Sequence, residues 1–123
     1  MKLLYDFQDE SGYLNVDLTG EWNLDDLKDF AKALHLHVND SGHGKILINA
    51  LKTNTAPNTI SSYFYGDFIS TLFLGFKIAL IMKKEFISGL FENVAVNRGV
   101  FLSVFADPQS ALQWLLSDDF QKE

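Results

Sequence analysis

Three histidines lie close together in the sequence, His35, His37 and His43, with Asp40 between the last two. Imidazoles and carboxylates are common zinc ligands, but ligands on one helix must share a face, which requires a spacing of three or four residues. His35 and His37 are only two residues apart, so they point to different faces of the helix that we predict there. We therefore predict no metal site.

The segment Asp40–His43 contains an acid, a serine and a histidine, the residue types of a hydrolytic triad. Neighbours within one turn cannot adopt the geometry of nucleophile, base and orienting acid, and no nucleophile-elbow motif is present. The glycines of this segment also fail the phosphate-loop pattern. Adjacent carboxylates at Asp25–Asp26 and Asp118–Asp119 diverge on a helix. We predict a protein that is not an enzyme and that needs no cofactor.

The composition narrows the remaining classes of function. The 123 residues suffice for one domain, 1–123, and the absence of cysteine excludes disulfides and thiolate chemistry. A formal net charge of −6 repels phosphate backbones, so we expect no nucleic-acid binding. No export signal is visible, and the most apolar stretch, Phe68–Met82, is too short and too polar for a membrane span. We expect a cytoplasmic protein without a transmembrane segment.

Hydrophobic periodicity then predicts the elements that position the functional residues. Two short runs in which apolar and polar residues alternate lie on either side of a polar turn, and they predict a β-hairpin. Apolar residues then recur at helical spacing after Asn23, a suitable N-cap, and predict the first helix. Three continuous apolar runs predict buried strands. The hairpin strands are Leu3–Phe7 and Tyr13–Leu18, and the buried strands are Ile46–Leu51, Phe76–Met82 and Val100–Phe105.

Three further helices separate or follow the buried strands. One opens at Pro57 and carries an aromatic stripe, one runs from Phe86 to Ala95, and the last is capped by Asp107. The order is ββαβαβαβα. Strands that alternate with helices pair in parallel, so we predict an α/β domain with a mixed, mostly parallel five-stranded sheet and four helices.

Several segments carry a family resemblance along nearly the whole chain. They are Gly20–Trp22, Gly75–Leu80, Val94–Gly99, Val104–Asp107 and Ala111–Leu115. With the order of elements, they resemble the SpoIIAA-like branch of the STAS superfamily. The resemblance implies a SpoIIAA-like fold and, for function, a regulatory module like the anti-sigma-factor antagonists.

In those antagonists, a serine after a central strand is phosphorylated and controls binding to a partner kinase. The matching segment here begins at Asn49 and lacks the Asp-Ser-(Ser/Thr)-Gly motif. This segment contains three residues with hydroxyl groups, Thr53, Thr55 and Thr59. They are candidate phosphoacceptors or partner contacts; the alternative is that they only cap backbone N–H groups before a helix.

Two other groups are candidates for binding. Tyr63, Tyr65 and Phe68 on the aromatic helix could form an interface or line a ligand pocket if they face outward, whereas the alternative is a core position. Arg98 is the only arginine of the chain. Its planar guanidinium group could bind an anion or a carboxylate of a partner, and the alternative is an ion pair with the acidic surface of this protein.

These features predict a non-enzymatic protein-interaction or regulatory module that acts through the loop Asn49–Asn58 and the aromatic helix after it. The partner is an unknown protein, and because so aromatic a helix is hard to cover within one short chain, we also expect a homodimer. The alternative is a carrier or sensor of a small apolar or lipid-like ligand, held between that helix and the sheet.

Overall fold

The computed structural model describes residues 2–54, 66, 68, 70–87 and 101–117. Seven strands and helices and one short 3₁₀ helix have defined bounds within these residues. They are β1 Leu4–Glu10, β2 Tyr13–Gly20, α1 Leu24–Ser41, β3 Lys45–Thr53, β4 Lys77–Ile81, the 3₁₀ helix Lys84–Phe86, β5 Phe101–Phe105 and α2 Pro108–Leu116. Residues 66, 68 and 70–72 are also helical, within the segment predicted to open at Pro57.

The sheet has five strands in the order β1-β2-β3-β4-β5. Strands β1 and β2 pair antiparallel, and the other three pairs are parallel. The predicted mixed, mostly parallel sheet is therefore confirmed. Because β2 to β5 run in one direction, their carboxyl ends lie at one end of the sheet, which we call the carboxyl end; the opposite end, with the β1–β2 turn, is the amino end.

Several predicted boundaries differ from the structure. Strand β3 is Lys45–Thr53 rather than Ile46–Leu51, so Asn49 lies within the strand and the predicted loop starts only after Thr53. Strand β1 continues to Glu10, because its polar residues after Phe7 pair in register with β2. A helix that begins at Phe86 is wrong: Phe86 ends the 3₁₀ helix, and Ile87 has extended backbone. The side chains of Phe86 and Ile87 are half-buried and pack against the core, although their backbone is not α-helical. The rest of the predicted helix, from residue 88, lies outside the described residues.

Helix α1 covers one face of the sheet. The Asn23 side chain accepts a hydrogen bond from the Asp26 N–H at 3.2 Å and so caps its start, and Gly42 ends it with a left-handed conformation, φ 83°. Its inward residues pack against the alternate buried positions of β2 and against β3 and β4. The inward residues are Leu27, Phe30, Ala31, Leu34 and Val38.

Helix α2 covers the other face, over β3, β4 and β5. Asp107 caps it by accepting from the Ser110 N–H at 2.8 Å, and Pro108 occupies its first turn, as predicted. The hydrophobic cluster on this face is smaller than the one beneath α1; its buried residues are Leu47, Ala79, Ile81, Ala111 and Leu115. The sheet is thus buried on both faces at its centre.

Candidate functional site

The loop predicted to bind a partner starts at the carboxyl end of the sheet. Strand β3 ends at Thr53, and the Asn54 N–H donates a 2.7 Å hydrogen bond to the carbonyl of Gly20 at the end of β2. On the other side, the Met82 N–H donates to the Phe105 carbonyl at 2.9 Å. These bonds connect the carboxyl ends of neighbouring strands, where binding sites of parallel sheets are usually found. Asn54 is exposed there.

Thr53 is fully buried at this end, with 0% of its surface exposed. Its hydroxyl donates to the Ala50 carbonyl at 2.7 Å and accepts from the indole Nε1 of Trp22 at 3.1 Å. Phosphorylation of this hydroxyl would require both contacts to break and the side chain to leave the interior. The other two candidate threonines, Thr55 and Thr59, lie outside the described residues.

The start of the chain also reaches the carboxyl end. The Leu3 N–H donates to a carboxylate oxygen of Asp26 in the first turn of α1 at 3.1 Å. Gly20 has φ 100°, and a Cβ at this position would lie 2.2 Å from the Lys2 carbonyl oxygen. Only glycine allows the backbone of residues 2 and 3 to pass so close to the end of β2.

Among the candidate aromatic residues, the structure places Phe68. It is half-buried against the larger hydrophobic cluster, and the Lys28 ammonium lies 5.9 Å from its ring centre. Phe68 therefore combines core packing with partial exposure near α1. Tyr63, Tyr65 and Arg98 lie outside the described residues.

A cavity of about 30 Å³ lies between α1 and the sheet. Its described walls are apolar and come from both layers, together with Phe73 just before β4 and Trp22 in the loop between β2 and α1. The lining residues are Leu18, Trp22, Leu27, Phe30, Leu34, Ile48, Phe73, Ile78, Leu80 and Leu102. The sequence predicted an apolar core here, but an unfilled volume inside it leaves no signal in the sequence.

At the amino end, two of the three histidines do converge, but on a residue that the sequence analysis did not single out. The Nε2 atoms of His37 and His43 lie 2.9 and 3.0 Å from the same Asp9 carboxylate oxygen. Their hydrogen bonds are the main reason that the pKa of Asp9 lies below its ordinary value of 3.8. His35 instead packs edge-on against Phe73.

The order of strands and helices indicates that Asp9 and the end of α1 lie at the same end of the sheet. Helix α1 starts at the carboxyl end of the sheet and so must end at the amino end, where the turn after Glu10 also lies. No group of three metal-ligating side chains in the described part of the chain could hold a metal ion. One carboxylate oxygen between two imidazoles makes a hydrogen-bonded cluster that joins β1, α1 and the loop before β3.

The amino end also holds a buried lysine. Lys77 is fully buried, and its Nζ donates to the Trp114 carbonyl at 2.7 Å and to the Ser117 hydroxyl at 3.1 Å. The Trp114 ring centre lies 4.6 Å from the same ammonium. Lys77 therefore places a positive charge at the negative end of the α2 dipole.

Comparisons with known proteins agree with this architecture. A crystal structure of an anti-sigma factor antagonist from Mycobacterium paratuberculosis is 11% identical, with a TM-score of 0.68 over 94% of this chain and 96% of that chain. A protein of the DUF3478 family from Shewanella loihica PV-4, described as having a SpoIIAA-like fold, is 15% identical, with a TM-score of 0.57 over 93% and 94% of the two chains.

No protein-family model matches the sequence, and no curated protein matches it. None of the helices in the described ranges has the length and hydrophobicity needed to span a membrane. The two structural similarities cover nearly the whole of each chain. The chain therefore has the SpoIIAA-like fold, as its resemblance to the STAS superfamily predicted.

Proposed function

We propose that this protein is a non-enzymatic, regulatory protein-interaction module that binds its partner through the carboxyl end of the sheet. The contact surface consists of the loop that follows β3, with the exposed Asn54 at its start, and the aromatic segment after it. The observation that carries the proposal is the end of β3: its last residues are fixed by hydrogen bonds, yet Asn54 is exposed beside the loop between β2 and α1.

Two further observations support this function. One protein with the same fold is an anti-sigma factor antagonist, a name that describes action on another protein. In addition, the clusters of reactive side chains that the structure describes are engaged in holding elements together: Lys77 caps α2, and the Asp9 cluster joins three elements. An exposed residue beside a strand end that is fixed by hydrogen bonds suits recognition of a protein.

Site-specific photocross-linking in the native host tests the proposal. A photoreactive phenylalanine derivative replaces Asn54 in one variant and Ser11 in a matched control, because Ser11 is equally exposed but lies in the turn at the amino end. We expect a cross-linked protein from position 54 that is absent from position 11. A cross-link to a second copy of the chain would identify the partner as a homodimer subunit.

The cross-linked protein is then purified and its affinity is measured. We expect Asn54→Lys to raise Kd at least about tenfold, since a bulky charge at the centre of an interface costs about 1.4 kcal/mol or more. Ser11→Lys should leave Kd unchanged. Equal cross-linking from both positions, or an unchanged Kd for Asn54→Lys, would contradict the proposed surface.

A further inference from the structure

Strand β1 is an exposed edge of the sheet. It stands first in the strand order, and among the described strands it pairs with β2 alone. All of its residues, Leu4–Glu10, pair with β2 in an unbroken antiparallel register, so no bulge bends the edge away from solvent. Alternate residues of such a strand direct their backbone N–H and C=O groups away from the partner strand. The edge therefore offers a row of backbone donors and acceptors to another extended segment.

The side of β1 that faces α1 is aromatic. The rings of Tyr5 and Phe7 lie next to each other along the strand, with their centres 5.2 Å apart, and the Tyr5 ring also lies 5.2 Å from that of Phe30 on α1. Although it contacts the core in this way, Tyr5 remains 42% exposed. A strand added to the edge would place side chains beside these rings, and apolar side chains gain most from covering them.

The opposite side of β1 is acidic. Helix α2 lies over β3, β4 and β5, and on this side of the sheet Leu4, Asp6 and Glu10 are exposed. Asp6 and Asp17 stand directly opposite each other in the β1–β2 register, where like charges repel. The neutral Gln8 amide donates to both carboxylates, to Asp17 at 3.2 Å. Within the described ranges neither carboxylate has a cationic partner, so both negative charges remain uncompensated.

The two sides together define the segment that fits this edge. Side chains of a strand alternate between the faces of a sheet, so apolar residues at one set of positions would lie beside Tyr5 and Phe7, and basic residues at the other set beside Asp6. A second copy of this chain fits poorly, because its own β1 would add the carboxylates of Asp6, Asp9 and Glu10, and each chain has a formal net charge of −6. Acidic side chains on an edge strand oppose such self-pairing and attract a basic segment.

We propose that β1 is a docking edge for an extended segment of a partner protein in which basic and apolar residues alternate. The segment adds a further strand to the five-stranded sheet. Backbone hydrogen bonds to β1 supply the affinity, and the Asp6–Asp17 pair selects the basic residues. This edge is separate from the contact surface proposed above, and either can bind without the other.

The probe is a synthetic peptide of about eight residues, close to the length of β1, in which lysine and valine alternate. Amide hydrogen exchange of the full chain is followed by NMR with and without the peptide. We expect the β1 amides that point away from β2 to exchange several times more slowly when the peptide is present. A peptide in which proline replaces valine keeps the charge, but it lacks alternate N–H donors and cannot adopt strand dihedral angles, so it should give no protection.

The acidic pair is tested by Asp6→Asn, which should raise the Kd of the lysine–valine peptide about threefold, the usual effect of losing one exposed ion pair. Asp29→Asn removes the same charge from an exposed position on α1 and should leave Kd unchanged. Equal Kd values for the two variants, or equal binding of the proline peptide, would overturn the proposal, because either result would show attraction by net charge alone. Protection of β1 amides that rises with protein concentration in the absence of peptide would also overturn it, since a second copy would then occupy the edge.

Discussion

The two ends of the sheet are held by different kinds of contact. At the amino end, charged side chains meet the carboxyl ends of helices: Lys77 caps α2, and Asp9 joins β1 to the end of α1. At the carboxyl end, the contacts around Trp22 and Thr53 are hydrogen bonds between neutral groups, and the Asp26 and Asp107 carboxylates accept from backbone N–H groups. Charge-assisted hydrogen bonds are roughly twice as strong as neutral ones. We infer that the Trp22–Thr53 contact is weaker than the contacts made by Lys77 and Asp9.

The largest effect should come from Lys77. Lys77→Ala removes the ammonium that caps α2 and leaves the space of a buried side chain empty, so we expect the free energy of unfolding to fall by about 3 kcal/mol. Urea denaturation followed by circular dichroism measures this change. Lys77→Met keeps most of the volume, so its loss should be smaller, and the difference between the two variants separates packing from capping.

Lys45 provides the matched control for this prediction. It is the register partner of Lys77 on the neighbouring strand and is only half-buried. Lys45→Ala should change the free energy of unfolding by less than about 1 kcal/mol, as usual for a partly exposed position. If both alanine variants lose the same stability, the amino end does not depend on the buried ammonium, and the contrast between the two ends fails.

A smaller effect is expected from Gly20 at the carboxyl end. The Cβ of Gly20→Ala would clash with the backbone oxygen of Lys2 at a positive φ, so we expect a loss of about 2 kcal/mol and displacement of residues 2 and 3. Faster amide exchange of Leu3, whose N–H is bonded to Asp26, reports that displacement.

Gly12→Ala separates the clash from the backbone strain. Gly12 has a similar φ of 89°, but nothing lies within 4 Å of the Cβ position. This variant should lose only the strain energy of about 1 kcal/mol. Unchanged amide exchange at Leu3 in Gly20→Ala would show that the start of the chain is not held against the end of β2.

The sequence predicted the sheet because its signals are local. The alternation of Leu14, Val16 and Leu18 and the Asn23 and Asp107 caps act within a few residues, and each appears in the structure as expected. The polar end of β1 was missed because its pairing with β2, not its own hydrophobicity, makes it a strand. Local patterns report on local hydrogen bonds and on which face is buried.

The contacts that define the two ends could not be predicted from such patterns. Asp9 and His43 are 34 residues apart, and Trp22 and Thr53 are 31 residues apart, so only the assembled topology brings them together. The sequence predicts Thr53 as a hydroxyl near a strand end, but its full burial and its hydrogen bond from the Trp22 indole are visible only in the assembled structure. The lysine at the start of β4 gave no sign that it would cap a helix that forms almost 40 residues later.

The smallest effect is expected from the exposed cluster at the amino end. The histidine hydrogen bonds lower the pKa of Asp9 in the native state, so the cluster adds stability above the ordinary value of 3.8, and this contribution disappears as pH falls through the lower native pKa. Asp9→Asn should therefore be less stable than the wild type at pH 6, and the difference should vanish at strongly acidic pH. Asp29→Asn, at an exposed position of α1, is the control and should show no such dependence. A constant difference between wild type and Asp9→Asn over the whole pH range would mean that the carboxylate charge does not hold this end of the sheet together.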